Sequence, residues 1–230
     1  MTRMGLFGRR KPAAVAIEPE EIVPVVADPV SGRARVGEYA APIYPLLVDT
    51  AYASEALHEH LPAEHRPVLR ALECGLSVRY AFDRGGYWDY VTRSVAERIG
   101  HDDDSLHAEA LAWLTQLDFI AESGGARIRL EMPEGKEDLA ASLVLRAGDL
   151  WTQFGDRVDG DLVVAAAQRI ALHLCGSADA ESVQSLRELS RALYALVDEA
   201  KPVSADLYVI SADGTLRALD EPARGNVPSD

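Results

Sequence analysis

The chain reads as an α+β protein, with N-terminal helices followed by a largely antiparallel sheet that has helices packed on one face. Three observations predict this. Residues 38–60 place Tyr44, Leu47, Val48, Tyr52, Ala56 and Leu57 at helical spacing. Leu76, Val78, Tyr80 and Phe82 alternate with smaller or polar residues, as a strand does. Two glycine turns, Ser123-Gly124-Gly125 and Asp213-Gly214, each stand between short alternating runs, the pattern of a hairpin.

The elements follow in order. Residues 1–36 carry Pro12, Pro19, Pro24 and Pro29 and the flexible pair Ser31-Gly32, with no sustained period, and are expected to be a disordered basic and Pro-rich tail. Its run VAIEPEEIVPVV is rich enough in Val and Ile to pair as an edge segment, but tail is the reading adopted. One α+β domain is expected over 37–221, with a loose C-terminus over 222–230. The first helix spans 38–60, with Pro42 and Pro45 at its beginning. A short second helix, 67–73, lies between Pro67 and Gly75. The strand 76–82 ends at Asp83-Arg84-Gly85-Gly86. Thr92 then caps a helix that stops at Gly100. The acids Asp102, Asp103 and Asp104 open the next helix, whose broad apolar face holds Leu106, Ala110, Leu111, Trp113, Leu114 and Leu117.

A hairpin follows over 119–131. The run ASLVLRAGDLWTQFG reads as a buried strand and then a helical turn around Leu150 and Trp151. Residues 162–166 and 170–175 are two more strands. The clearest helix covers 180–201, with Val183, Leu186, Leu189, Leu193, Leu196 and Val197 at helical spacing and Pro202 closing it.

Composition narrows the function. At 230 residues the chain can bury a real core, and 48% hydrophobic with 26% charged residues are ordinary values for a globular protein. No apolar run approaches the ~20 residues that span a bilayer, so no integral membrane segment is expected. The opening MTRMGLFGRRKPAAVAIEPE lacks the apolar core of a secretory signal, and Cys74 and Cys175 form no disulfide framework or metal spacing. A cytoplasmic location with reduced thiols is the expectation. The net charge is -14, yet Arg3, Arg9, Arg10 and Lys11 stand together with no acid among the first twelve residues. The body is therefore more acidic than the total, which disfavours nucleic acid. Residues 1–12 are expected to give at most a weak peripheral contact with anionic membranes.

From Gly75 to Leu219 the phrasing resembles the YtpQ-like family, a group of bacterial proteins. The resemblance rests on the strand ending in Asp83, the aromatic YWDYVT, the helix SLHAEALAWLTQL, and ASLVLRAGDLW, GDLVVAAAQRIAL and the long helix in the same order. It implies an α+β fold and a cytoplasmic bacterial setting, and it supplies no activity. In the turn Ala167-Gln168-Arg169-Ile170 the chain keeps the family's Arg as Arg169. It has Ala167 where the family has Pro and Ile170 where the family has an acid.

Candidate chemistry is sparse. His58 and His60 would lie roughly 200° apart on a helix and could share one ion only if the helix has already ended, which Pro62 allows. Solvated charges at a fraying helix end are the reading of His58-Glu59-His60, Glu64 and His65. The run His101-Asp102-Asp103-Asp104-Ser105-Leu106-His107 is read as helix capping, since it lacks the Gly and distal Glu of a calcium loop. Ser94, Ser142 and Ser204 have no nucleophile-elbow context, and the two Gly-Gly pairs fit no phosphate loop. The sequence thus assigns no catalytic residue, no metal ligands and no cofactor. The aromatic turn Asp83, Arg84, Tyr87 and Trp88, together with Arg169, is the candidate binding set, because aromatics with an Arg in a loop compose contact hot spots. Trp88 is expected to be structural and Arg84 and Tyr87 to make contact. The expected function is non-enzymatic binding of another protein, as an adaptor or immunity protein does. The alternative is a small hydrolase or transferase with a site near Asp83, Tyr87, Trp88 and Arg169. A single pocket joining Arg169 to the Asp83 turn would favour it, and a flat exposed aromatic patch would favour the binder.

Overall fold

The computed structural model describes residues 24–49, 58–196 and 201–219. The expected N-terminal helices are not what the chain builds. The described residues form three sheets of two, four and six strands and four complete α-helices, the first of which starts at Arg93. All strand pairings are antiparallel.

The stretch assigned to the tail contains a hairpin, β1 (Val25–Ala27) with β2 (Ala34–Val36). Asp28 closes its turn by accepting from the Val30 and Ser31 N–H groups at 2.8 and 3.2 Å. Three-residue strands leave no measurable period in a sequence, and this one is held by a tertiary contact of Arg35.

Where the first helix was expected, β3 (Ile43–Val48) runs with all six residues buried. The spacing of Tyr44, Leu47 and Val48 suits a strand buried on both faces as well as it suits a helix, and Pro45 is excluded from a helix interior. Tyr52, Ala56 and Leu57 lie outside the described residues. β3 pairs along β5 (Ser77–Asp83), with Ile43 opposite Phe82 and Val48 opposite Ser77. The expected second helix is also a strand, β4 (Leu69–Ala71). Pro67 and Gly75 bracket too few residues for a stable helix, and Gly75 at φ 87° turns the chain back onto β5. β4 and β6 (Trp88–Tyr90) share the second edge of β5, so β5 is the centre of this sheet.

The next two helices follow the sequence reading. In α1 (Arg93–Ile99) the Thr92 hydroxyl accepts from the Val95 N–H at 3.4 Å, and Gly100 ends the helix at φ 81°. In α2 (Asp103–Thr115) Asp102 and Ser105 form a reciprocal capping box. Leu106, Ala110 and Leu114 are buried on one face of α2, and so is Glu109.

The six-stranded sheet is three hairpins laid side by side: β7 (Ile120–Gly124) with β8 (Arg127–Glu131), β9 (Leu162–Gln168) with β10 (Ala171–Gly176), and β11 (Leu207–Ile210) with β12 (Leu216–Ala218). The spatial order is β12-β11-β9-β10-β8-β7. Leu162, Val164 and Ala166 of β9 face the main core, whereas Val163 and Ala165 join Cys175, Leu207 and Val209 beneath α4 (Ala180–Tyr194). Both faces are covered, which explains the continuous apolar run of β9. The helix was expected to reach 201; it ends at Tyr194, and residues 197–200 are outside the described set. The expected strand in ASLVL is instead a 3₁₀ stretch, Ala141–Arg146, leading directly into α3 (Ala147–Phe154). A short apolar run carries no signal that separates the two.

The 3₁₀ stretch sits against both large sheets, and there the free edge of β3 is dealt with. The Leu47 N–H donates to Ser142 Oγ at 3.2 Å, and the Leu47 carbonyl accepts from Arg169 Nε at 3.1 Å. Arg169 stands in the β9–β10 turn and is 6% exposed, so this candidate binding residue is a buried structural tie. Arg169→Ala should lower unfolding free energy by about 2–4 kcal/mol, through an orphaned carbonyl and the space left behind. Denaturant titration of the variant checks this.

His173 on β10 is half-buried. Burial first, and then Arg129 and Arg127, push its imidazole down to about 4. Between that value and the ordinary ~6.5 the unfolded chain binds the proton and the folded one does not. The stability this neutral ring supports is therefore complete above about pH 6.5 and lost as pH falls toward 4. His173→Gln should show a shallower fall in Tm than the wild type between about pH 7 and 5, read by circular dichroism.

Candidate functional site

The turn from β5 to β6 is built by its glycines. The Arg84 N–H donates to the Tyr87 carbonyl at 3.2 Å, and Gly85 at φ 73° takes a conformation that costs other residues energy. The Asp83 carboxylate accepts the Gly85 N–H at 2.8 Å. This holds the turn upright beside the loop of residues 133–138, and a cleft of about 640 Å³ opens between them.

Asp83, Tyr87, Trp88, Lys136, Asp138 and Lys201 face this cleft. Lys136 pairs with Asp83 and Lys201 with Asp138, so each cation is matched by an acid. Burial holds the Lys136 ammonium below its usual range. Lys136 also lies 5.4 Å from the Tyr44 ring centre. Glu134 and Glu137 complete the rim, leaving four acids against two lysines.

Each residue singled out in the sequence has a definite place. Trp88 donates from Nε1 to Asp138 Oδ2 at 3.1 Å and meets Tyr44 edge to face at 6.0 Å, packed on the main core. Tyr87 is 66% exposed and stands at the tip of the turn. Arg84 is engaged within the fold: it pairs with Asp89 at 3.0 Å, donates to the Glu38 carbonyl, and covers the Phe82 ring at 4.7 Å. Arg169 does not line the cleft; its only link is through the backbone, where its N–H donates to the Lys201 carbonyl at 3.2 Å. The cleft thus gathers Asp83, Tyr87 and Trp88 and leaves out Arg169.

Lys136, Asp138 and Lys201 were not singled out in the sequence. Lys136 follows Glu134-Gly135 in a turn and Lys201 precedes Pro202, positions where a lysine is usually unremarkable. A second polar group was missed as well. Among the described residues the one grouping of His, Asp and Glu with metal-binding spacing is Asp28, His101 and Glu109, inside the protein between β1–β2 and α2. Its signal was faint but present, an acid standing amid the apolar face of α2 between Leu106, Ala110 and Trp113. Both cysteines are free thiols that burial pushes up, Cys175 to about 11, so neither is an activated nucleophile.

Comparison of the chain with protein-family models, with curated proteins and with solved structures finds no match. Among the described residues no helix is long and apolar enough to cross a membrane.

Trp88→Ala should destabilise the protein by about 2–4 kcal/mol, somewhat under the ~3–5 of a fully buried aromatic because the ring is only partly covered. Thermal unfolding of the variant measures this. A melting temperature within a degree of the wild type would show that the ring is not structural.

Proposed function

We propose that this chain is a cytoplasmic, non-enzymatic bacterial protein of the YtpQ-like kind that works by binding another protein, with the β5–β6 turn and its cleft as the contact surface. The observation that carries the reading is Tyr87, a large aromatic two-thirds exposed on a turn that Asp83, Lys136 and Trp88 hold rigid. A rigid aromatic beside an open cleft contributes contact area at little entropic cost. The acid excess at the rim and the net charge of -14 select a partner segment bearing Lys or Arg. A single pocket joining Arg169 to the Asp83 turn would favour the hydrolase or transferase alternative. Arg169 instead serves the Leu47 carbonyl and does not line the cleft, which supports the binding reading.

Tyr87→Ala combined with Glu137→Lys tests the proposal. Affinity capture from the native cytoplasm should yield a partner with the wild type, and the double variant should retain less than about a tenth of it. The melting temperature should stay within a few degrees, since neither side chain is buried in the core. Equal capture by a folded double variant would exclude this surface as the contact site.

A further inference from the structure

The hairpin β1–β2 is held to α2 by a buried polar cluster centred on Glu109, which has no exposed surface. Its Oε1 is fully occupied: it accepts from the Arg35 guanidinium and from Trp113 Nε1, the latter at 3.0 Å. Arg35 spends its other donors on the Tyr39 and Ala41 carbonyls, at 3.0 and 2.6 Å. Glu109 Oε2 is different. It is buried and has no hydrogen-bond partner, although His101 Nε2 lies only 2.8 Å away. The direction in which that nitrogen presents its proton or lone pair therefore misses the oxygen. Asp28 Oδ2 lies 3.8 Å from the same nitrogen, and the His101 and Asp28 side chains are 9% and 4% exposed.

Two donor atoms in close contact that do not point at each other are what a chelated ion leaves, because both point at a third position off the line between them. A cation about 2.1 Å from each atom would see Nε2 and Oε2 at roughly 85° and Nε2 and Oδ2 at roughly 130°, on either side of the tetrahedral value. One imidazole and two carboxylates suit a first-row divalent ion such as Zn²⁺ or Mn²⁺, whereas Mg²⁺ and Ca²⁺ prefer all-oxygen sets. Supporting contacts are in place for the two carboxylates, whereas His101 Nδ1 is buried without a hydrogen-bond partner among the described residues. Arg35 and Trp113 orient Glu109, and the Val30 and Ser31 N–H groups orient Asp28. A groove lined by Glu97, His101, Asp102, Asp103 and Asp104, and by Arg93, which pairs with Asp103, reaches the cluster at His101, and its excess of acids favours cations there. Among the described residues Arg35 pairs with Glu109, while Asp28 has only His101 as an ion-pair partner, so the two carboxylates face one directly paired arginine.

We propose that Asp28, His101 and Glu109 bind a first-row divalent cation that fastens the N-terminal hairpin to α2. The rival arrangement is His101 packed between the two carboxylates with no ion.

The test uses the full chain, freed of metal by a chelator and dialysed against Zn²⁺ or Mn²⁺ in excess Mg²⁺, with bound metal quantified. The wild type should retain one equivalent, and Zn²⁺ should raise its melting temperature. Asp28→Asn and His101→Asn should each weaken retention at least ~10-fold, while a His58→Ala, His60→Ala, His65→Ala triple variant keeps it. Glu109→Gln is avoided because it leaves Arg35 buried and unpaired. Should both cluster variants misfold, the ring signals of His101 and the Nε1–H signal of Trp113 in the wild type must shift on adding Zn²⁺. No retained metal, retention unchanged in the folded variants, or unmoved signals would overturn the proposal in favour of the ion-free cluster.

Discussion

A buried sheet edge dictates how the two large sheets meet. β3 is an outer strand, yet it is covered on all sides, so its outward backbone groups cannot turn to water. Each such group left unpaired costs about 1–3 kcal/mol. Pro45 has no N–H to satisfy, and by the two-residue alternation of a ladder it presents the same edge as Leu47. At Leu47 the donor goes to Ser142 and the acceptor to Arg169. These two arrive from different places, the 3₁₀ stretch and the β9–β10 turn, and the Ala141 N–H donates to the Arg169 carbonyl at 2.9 Å to close the ring. No strand could have filled this edge, because the second sheet's own core already occupies the space.

The cleft inherits its shape from that joint. The Arg169 N–H draws in the Lys201 carbonyl, and the Val203 N–H donates to Ala167 at 2.9 Å, which sets Lys201 opposite Asp138. Asp138 in turn holds the Trp88 indole, and Trp88 lies across Tyr44 of β3. The aromatic turn is therefore referenced to the same strand that Arg169 ties down. Its tip, Tyr87, is exposed, while Trp88 and Asp83 beneath it are hydrogen-bonded or ion-paired.

The other polar assembly lies within the fold, and its energetics differ. A carboxylate with no exposure is destabilising unless it is compensated, and removing one partner of such a pair typically costs about 3–5 kcal/mol. Glu109 answers this with Arg35 on one oxygen, while its second oxygen lies 2.8 Å from His101 Nε2 without a hydrogen bond. The consequence is specificity of placement. A hairpin of two three-residue strands buries too little to hold its own position, and the charged cluster fixes it against one turn of α2.

How much was legible in the sequence follows from the range of each interaction. Local rules were readable. Thr92 and Asp102 cap their helices, Gly100 ends one, and Ser123-Gly124-Gly125 and Asp213-Gly214 turn hairpins, because each acts within a few residues. The sequence by itself determined those elements and the two strands within 162–175. Only the tertiary structure decided that IYPLLV and LRA are strands, since their apolar spacing fits either state and β5 supplies the pairing. It also decided that Arg169 serves a carbonyl 122 residues away, and that Lys136 and Lys201 meet Asp83 and Asp138. Glu109 finding Arg35 74 residues away is the same kind of event. A polar side chain's partner is set by where the folded backbone delivers it, and no local pattern encodes that position.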